Sequence, residues 1–378
     1  MNTDNLSALA VGLGVVALIA GFGIYFNNPE LNKAASGQHE NFMPATVAGS
    51  GTIAIDKSQF KLAPELTQIS GYINTDPMTL ADLKGRVVLV DFWTYSCINC
   101  IRTIPYLNTW HQKYADDGLV IVGVHTPEFQ FEKDYNNVKA AVEKFEIKYP
   151  VVQDNDKGTW NAYENRYWPR KYLVDNEGYI RYDHIGEGSY AETEKVIQSL
   201  LSERAVYIGA NVTIDQSISS PENAQSVNFG QIDTPELYFG YQFARAKLGN
   251  QEGYQPDQVV TYKIAENTAI TPNRIYLDGD WKNNADHMEL QGEAGRIVLL
   301  YSAKAVNVVA GGSGELDISE DGSSLTGSSR GLDVSEQGAL TVDGQKLYNL
   351  AMHEGYGNHQ IVIEVLGKGF EIYTFTFG

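Results

Sequence analysis

The chain contains very little cysteine: Cys97 and Cys100 are the only two in 378 residues. This excludes a disulfide-stapled scaffold, because such scaffolds carry several bridges that close longer loops. It also excludes lipid attachment through a thiol near the N-terminus. An isolated pair with two intervening residues therefore points to chemistry at the sulfurs themselves.

Basic residues are also scarce, with 28 Lys and Arg against 47 Asp and Glu and a net charge of -19. The imbalance is -7 over residues 1–208 (18 basic, 25 acidic) and -12 over residues 209–378 (10 basic, 22 acidic). Nucleic acids and anionic lipid headgroups require basic patches, so neither is an expected partner. A hydrophobic content of 43% and the chain length indicate two globular domains rather than disorder.

One long segment lacks charge altogether. Leu6–Phe26 holds 21 uncharged, mostly apolar residues, enough to cross a bilayer as a helix. We expect an uncleaved membrane anchor over residues 1–27. The alternative is a cleaved signal peptide, for which Ala34-Ala35-Ser36 is a weak cleavage site.

Three further regions follow the anchor. Residues 28–60 read as a linker with a short strand at Thr52–Ile55. Residues 61–205 alternate in the order β-α-β-α-β-β-α, which predicts a mixed α/β sheet with helices on both faces. Residues 206–378 hold about ten short strand patterns separated by turn residues, which predicts an antiparallel β-sandwich of jelly-roll type. Its predicted elements include a short helix at Glu236–Lys247 and separate strands at Arg296–Ser302, Ala305–Val309, Lys346–Leu350 and Gln360–Val365.

The cysteines follow the most apolar strand pattern of the chain. Val87–Val90 predicts a strand buried on both faces, and Cys97-x-x-Cys100 then opens an amphipathic helix running to about Ala115. The start of a helix favours a thiolate, so this is the expected position of a thiol–disulfide exchange site. We expect Cys97 to attack and Cys100, one turn further and shielded, to resolve the mixed disulfide.

A zinc site is the main alternative for the cysteine pair. Such a site needs two more ligands, and the best approximation, His353 and His359, lies about 250 residues away. We therefore expect neither a metal nor another cofactor at the cysteines.

Three other positions are candidates for the site. Asp91 ends an apolar strand, where it would accept the proton of Cys100 or else cap a local turn. Glu128 follows the strand Leu119–Val124, as a second proton-handling group or as a solvated loop acid. Trp168-Pro169 enters a strand from a tight turn and is a candidate cis peptide, which would leave the backbone free to pair with an extended substrate.

These residues carry a family resemblance. Val90-Asp-Phe-Trp-x-x-x-Cys-x-x-Cys100, with Pro105 beyond it and an X-Pro before a later strand, resembles the thioredoxin fold, and Thr126-Pro-Glu128 resembles its TlpA-like branch. The resemblance implies that Pro169 is a cis-proline facing the cysteines and that Asp91 is the buried aspartate of the family. Ser96 stands where the family usually has Trp. The expected substrate surface therefore consists of Trp93, Tyr95, Ser96 and Trp168.

A second resemblance covers most of residues 60–378. Trp93–Cys100, Thr234–Gly240, Gly279-Asp-Trp281 with Glu289, and Phe375–Gly378 are similar to the extracytoplasmic part of DipZ-type proteins. That family joins a thioredoxin-like domain to a sandwich resembling carbohydrate-binding modules, behind a multi-span electron-conducting domain. We expect the single anchor to stand in place of that conducting domain. The resemblance thus implies electrons delivered in trans by a membrane protein of the CcdA type, in redox homeostasis or cytochrome c biogenesis.

Three functions follow as hypotheses. The first is a single-pass, membrane-anchored, extracytoplasmic protein-disulfide reductase, because disulfide exchange suits an oxidising compartment. The second is a cell-surface protein that binds glycan or peptide through the sandwich, with Trp281 and Tyr301 as aromatic contacts. The third is a thiol peroxidase, although the usual Thr-x-x-Cys arrangement is missing.

Overall fold

The structure, a computed structural model, describes residues 56–378, which form one compact unit. The expected anchor, the strand at Thr52–Ile55 and most of the linker lie outside the described residues. Between residues 56 and 378, no helix combines the length and apolar character needed to cross a membrane. The predicted domain boundary after residue 205 stays a prediction.

The first half of this unit is built on a six-stranded mixed sheet with the order β1-β4-β3-β2-β5-β6. Its strands are β1 (Gly71–Ile73), β2 (Val87–Trp93), β3 (Leu119–His125), β4 (Val151–Gln153), β5 (Arg170–Val174) and β6 (Ile180–Ile185). β2 pairs with β3 in parallel and with β5 in antiparallel fashion. β2 is therefore the central strand, as its unbroken apolar pattern predicts.

Four α-helices accompany the sheet: α1 (Ile98–Tyr114), α2 (Tyr135–Lys144), α3 (Gly158–Ala162) and α4 (Tyr190–Tyr207). α1 buries Ile104, Leu107, Trp110 and Tyr114, four of the five residues predicted for its apolar stripe, and the fifth, Ile101, is half-buried. α4 extends beyond the predicted end at Leu201, with the exposed residues Val206 and Tyr207 in its last turn. The apolar pattern did not predict this last turn, because its large apolar residues face solvent instead of the core.

The second half is a ten-stranded antiparallel sheet that includes two long strands. Its strands are β7 (Leu237–Tyr238), β8 (Val259–Tyr262), β9 (Tyr276–Asn283), β10 (Met288–Leu290), β11 (Ala294–Gly311), β12 (Gly314–Glu320), β13 (Ser323–Ser324), β14 (Ala339–Val342), β15 (Lys346–Leu366) and β16 (Glu371–Phe377). β11 pairs with β9 at one end, with β16 at the other, and with β15 along most of its length. Because β9, β10 and β16 are also joined in series, the sheet folds back on itself around one apolar core. The all-β class is therefore confirmed.

Two details of the predicted β region were wrong. The four strands predicted between 296 and 309 and between 346 and 365 are the two continuous strands β11 and β15. Register shifts within their pairing interrupt the alternation of side chains, so that each long strand reads as two short ones. The helix predicted at Glu236–Lys247 is instead β7 followed by turns, because its apolar residues pack into the sheet core.

Candidate active site

Cys97 caps the N-terminus of α1. It has extended backbone dihedrals, and its Sγ accepts a hydrogen bond from the backbone N–H of Cys100 at 3.4 Å. Cys97 is partly exposed, whereas Cys100 is 1% exposed, and neither is in a disulfide. The start of α1 thus leaves Cys97 accessible to solvent and shields Cys100. An attacking thiol must be accessible, whereas a resolving thiol can be shielded.

An acidic and a basic side chain are buried below the cysteines. Asp91 on β2 and Lys171 on β5 are direct partners in the sheet register, and both side chains are buried. Burial raises the pKa of Asp91 to about 7, and the charge of Lys171 partly opposes that increase. Burial likewise lowers the pKa of Lys171, whose Nζ donates to the backbone oxygen of Gly186 at 3.0 Å.

Cys100 is electrostatically linked to this pair. Burial is the main cause that raises the pKa of the Cys100 thiol, and the nearby Cys97 and Asp91 raise it further. The buried Oδ1 of Asp91 has no hydrogen-bond partner within the described chain, so it offers a lone pair. A thiol that resists ionisation and a carboxylate that titrates near neutrality form a proton donor and acceptor couple.

Pro169 follows a cis peptide bond from Trp168, as the family resemblance implied. Since Arg170 is the register partner of Phe92, Pro169 lies beside the end of β2, where the chain turns toward Cys97. Trp168 is half-buried, packs against Trp160 with ring centroids 4.2 Å apart and a tilt of 34°, and donates its Nε1–H to the oxygen of Thr126 at 3.0 Å. The two loops at this end of the sheet are therefore held together.

Three of the four residues expected to form the substrate surface are buried in the structure. Trp93, Tyr95 and Ser96 are 2%, 6% and 2% exposed, and only Trp168 is half-buried. Tyr95 stacks on His125 with ring centroids 5.7 Å apart. Burial lowers the pKa of His125 to about 3, so this ring stays neutral and packs as an apolar group. The side chains of Trp93, Tyr95 and Ser96 thus pack in the interior beside the cysteine helix and are not accessible to a substrate.

Glu128 contacts the second sheet. The hydroxyl of Tyr238 on β7 donates within 2.6 Å of Glu128 Oε1 and lies 2.9 Å from Glu236 Oε2. Burial and the charge of Glu236 raise the pKa of Glu128 to about 8, with Arg245 acting in the opposite direction. Glu128 therefore joins the loop after β3 to the second sheet through a hydrogen bond from Tyr238. Neither of the two sequence alternatives predicted this contact.

Glu132 is a site residue that the sequence did not single out. It is fully buried, and its Oε1 accepts the hydroxyl hydrogen of Ser96 at 2.5 Å. Its Oε2 accepts the backbone N–H groups of Glu128 and Phe129 at 2.6 and 2.9 Å. Burial raises the pKa of Glu132, and these hydrogen bonds moderate the increase.

Lys171 is a second site residue that the sequence analysis did not identify. The one sequence feature that could have indicated it is a charged residue within a largely apolar strand.

A cleft of about 600 Å³ runs beside the exposed end of α1. Its walls include Ile98, Ile101 and Pro105 from α1 and Asn307, Lys346 and Met352 from the second sheet. Ile98 directly follows Cys97, so the cleft begins next to the exposed thiol. Both sheets therefore shape the space that a substrate would enter.

The two aromatic residues suggested for glycan stacking are part of the core. Trp281 is 0% exposed and donates its Nε1–H to the oxygen of Asp278 at 2.9 Å, and Tyr301 is 1% exposed. Buried rings present no face to a sugar, so these residues do not support the glycan-binding alternative.

Two family models match the chain. Residues 60–183 match the AhpC/TSA family, and residues 234–378 match the thioredoxin like C-terminal domain. The two matches correspond to the six-stranded and the ten-stranded sheet.

Individual proteins agree with these matches. The thiol-disulfide oxidoreductase YkuV of Bacillus subtilis is 31% identical over 37% of this chain and 94% of its own length. This chain belongs to the thioredoxin-like thiol–disulfide oxidoreductases. Protein DipZ of Mycobacterium tuberculosis is 35% identical over 84% of the chain, and the chain spans 43% of the length of DipZ. A crystal structure of a thioredoxin-like superfamily protein is 30% identical over 37% of this chain and 96% of its own, with a TM-score of 0.35.

Membership of the thioredoxin-like oxidoreductases accounts for the dithiol helix and the central buried strand. The match to DipZ covers 84% of the chain and therefore extends into the second sheet, so similarity to that protein is not confined to the redox fold. It spans most of residues 60–378, the region of the sequence resemblance.

Proposed function

We propose that the protein is a protein-disulfide reductase that works through the Cys97–Cys100 couple. The observation that carries this proposal is the position of Cys97 at the start of α1, with Cys100 buried one turn further and Asp91 beneath it. A two-step exchange needs an accessible sulfur that attacks first, here Cys97, and a shielded sulfur that resolves the mixed disulfide, here Cys100.

The proposed reaction begins when the Cys97 thiolate attacks one sulfur of a substrate disulfide and displaces the other as a thiolate. Asp91 then takes the proton of Cys100, and the Cys100 thiolate attacks Cys97 in the mixed disulfide. The second substrate thiol leaves, and Cys97 and Cys100 remain as a disulfide. Two electrons have passed to the substrate, and a dithiol donor must supply two more for the next cycle.

The proposed setting is the outer face of a membrane. The uncharged segment Leu6–Phe26 supports a single-pass anchor, and disulfide exchange supports an extracytoplasmic location. The resemblance to DipZ-type proteins supports the reductive direction and a CcdA-type membrane donor in trans. We place protein clients in the cleft beside α1, where an extended segment could also pair with the backbone before Pro169.

Mixed-disulfide trapping tests this function. In the full chain with Cys100→Ser, the resolving step is blocked, so Cys97 should remain joined to a disulfide substrate such as oxidised insulin. Non-reducing electrophoresis and mass spectrometry should show a one-to-one adduct that dithiothreitol releases. Wild-type protein, once reduced, should instead reduce one insulin disulfide per chain and end with its own Cys97–Cys100 disulfide.

Cys97→Ser is the matched control and should form no adduct. Absence of both the Cys100→Ser adduct and wild-type insulin reduction would remove the proposal. If the reduced wild-type protein instead consumes hydrogen peroxide while leaving insulin intact, the thiol peroxidase alternative replaces it.

A further inference from the structure

A cluster of histidine and carboxylate side chains lies in the ten-stranded sheet, outside the redox site. It contains His353 and His359 from β15 and Glu320 from the end of β12. In a regular strand, residues six apart are separated by about 20 Å. Here the imidazole centroids lie 4.0 Å apart with an interplanar angle of 7°.

A bulge in β15 brings the two histidines together. Ala303 on β11 pairs with Gly357, and Ala305 pairs with Met352, so the single residue Lys304 lies opposite the four residues 353–356. The extra residues leave the regular ladder and turn His353 back toward His359. The close approach is thus built by the backbone.

The side chains present three donor atoms to a common point. His353 Nε2 lies 3.1 Å from Glu320 Oε2, and one donor atom from each of the three residues falls within 4.8 Å of the others. Ligand atoms about 2.1 Å from a tetrahedral zinc ion are about 3.4 Å apart. Glu320 Oε2 and His353 Nε2 are already close to that spacing, and the side chain of His359 is partly exposed, at 21%.

Neighbouring groups orient the donors. His359 Nδ1 lies 2.9 Å from Asp321 Oδ2, so a proton on Nδ1 leaves the Nε2 lone pair available. A Cβ built on Gly357 would lie 2.9 Å from that Nε2, so the glycine keeps it uncovered. The hydroxyl of Tyr301 donates to Glu320 Oε1 at 2.6 Å and lies 3.2 Å from His353 Nε2, so it contacts two of the three proposed ligands. A histidine held by a carboxylate and a carboxylate held by a hydroxyl are common supports of metal ligands.

We propose that Glu320, His353 and His359 bind one divalent transition-metal ion of the zinc class, with Asp321 and Tyr301 as positioning residues. Two imidazoles and one carboxylate match borderline ions such as Zn²⁺ rather than Mg²⁺ or Ca²⁺, which favour oxygen donors. A cation would also offset the charge of Glu320, which is 7% exposed. Three protein ligands leave a fourth position for water or another ligand.

Zinc and cobalt titrations of the full chain test this site. Since Cys97 and Cys100 also offer thiolates to zinc, the reference protein carries Cys97→Ser and Cys100→Ser. After removal of metal with a chelator, calorimetry should show one Zn²⁺ bound per chain, and Co²⁺ should give the visible absorption of a tetrahedral nitrogen and oxygen site. Zinc should also raise the midpoint of thermal unfolding, because only the folded state assembles the donors.

Variants assign the binding to these residues. In the same background, His353→Ala or His359→Ala should weaken zinc binding by at least about 100-fold, and Asp321→Asn by about 10–100-fold. His287→Ala is the matched control, because His287 pairs with Asp286 at 2.7 Å but belongs to no such cluster among the described residues, and it should leave the affinity unchanged.

Circular dichroism establishes that each variant is folded. If the histidine variants do not fold, Asp321→Asn still tests the proposal, because it removes no ligand. No stoichiometric binding by the reference protein would overturn the proposal, as would an affinity that the His359→Ala and Asp321→Asn changes leave intact.

Discussion

At the scale of single residues, the central feature is a carboxylate buried beneath a dithiol. Asp91 has a pKa of about 7 because burial penalises its charge more than Lys171 relieves it. Burial also raises the pKa of Cys100, so this thiol needs a base before it can resolve a mixed disulfide. Asp91 can accept a proton at neutral pH because its own environment is unfavourable to its charge.

Asp91→Asn should slow the resolving step on the order of 100-fold, because no carboxylate remains to take the Cys100 proton. In wild type, the rate of resolution should rise with pH through about 7, as Asp91 ionises, and the variant should lose this inflection. Stopped-flow release of a fluorescent thiol from the Cys97 mixed disulfide measures the rate.

The matched control for that experiment is Asp116→Asn, an exposed aspartate just beyond α1, which should behave as wild type. An Asp91→Asn protein that keeps both the rate and the inflection near pH 7 would show that another base serves Cys100.

At the scale of elements, the loop after β3 connects the redox helix to the second sheet. Glu132 faces back to Ser96, which precedes Cys97, whereas Phe129 packs on Tyr373 of β16 with ring centroids 5.1 Å apart. Glu128, in the same loop, accepts a hydrogen bond from the hydroxyl of Tyr238 on β7. This loop thus contacts both Ser96, next to the attacking cysteine, and the second sheet.

The Glu128 contact should make stability depend on pH. Its folded-state pKa of about 8 exceeds the ordinary 4.5, so the folded protein holds a proton that the unfolded chain releases. The free energy of unfolding should therefore fall as pH rises from about 5 to about 8, on the order of 2 kcal/mol after allowance for partial exposure. Glu128→Gln should flatten this part of the profile, measured by urea unfolding at several pH values.

Glu143→Gln on the exposed face of α2 provides the comparison and should retain the wild-type slope. A Glu128→Gln protein with an equally steep profile would assign the pH dependence to other buried groups.

Local patterns account for much of the fold. The apolar run of β2 and the stripe of α1 are local signals, and each predicted its element and its burial. Long strands such as β15 were divided in the prediction because a bulge breaks alternation in the same way as a turn does. The pairing of Asp91 with Lys171 depends on strand register, which residues 80 apart in sequence do not reveal.

At the scale of the whole molecule, the second sheet forms part of the surroundings of the thiols. It supplies one wall of the cleft beside α1, and the oxygen of Gln345 accepts the hydroxyl hydrogen of Tyr95 at 3.4 Å. The sequence predicted two folds in the correct order, but it could not place one against the other. Glu128 was predicted as a proton-handling group or a solvated loop acid, and Tyr95 as part of the substrate surface. Their contacts with the second sheet come from residues more than 100 positions away and could not be predicted.

The reduction potential of the Cys97–Cys100 couple tests the central claim most directly. The full chain is equilibrated with glutathione buffers of known ratio, quenched with an alkylating reagent, and its reduced fraction is read by mass spectrometry. A protein-disulfide reductase should show one reversible two-electron transition near the value of thioredoxin, about -270 mV. A transition near -120 mV would contradict the reductive direction, and failure of the two cysteines to form a reversible disulfide would contradict the account as a whole.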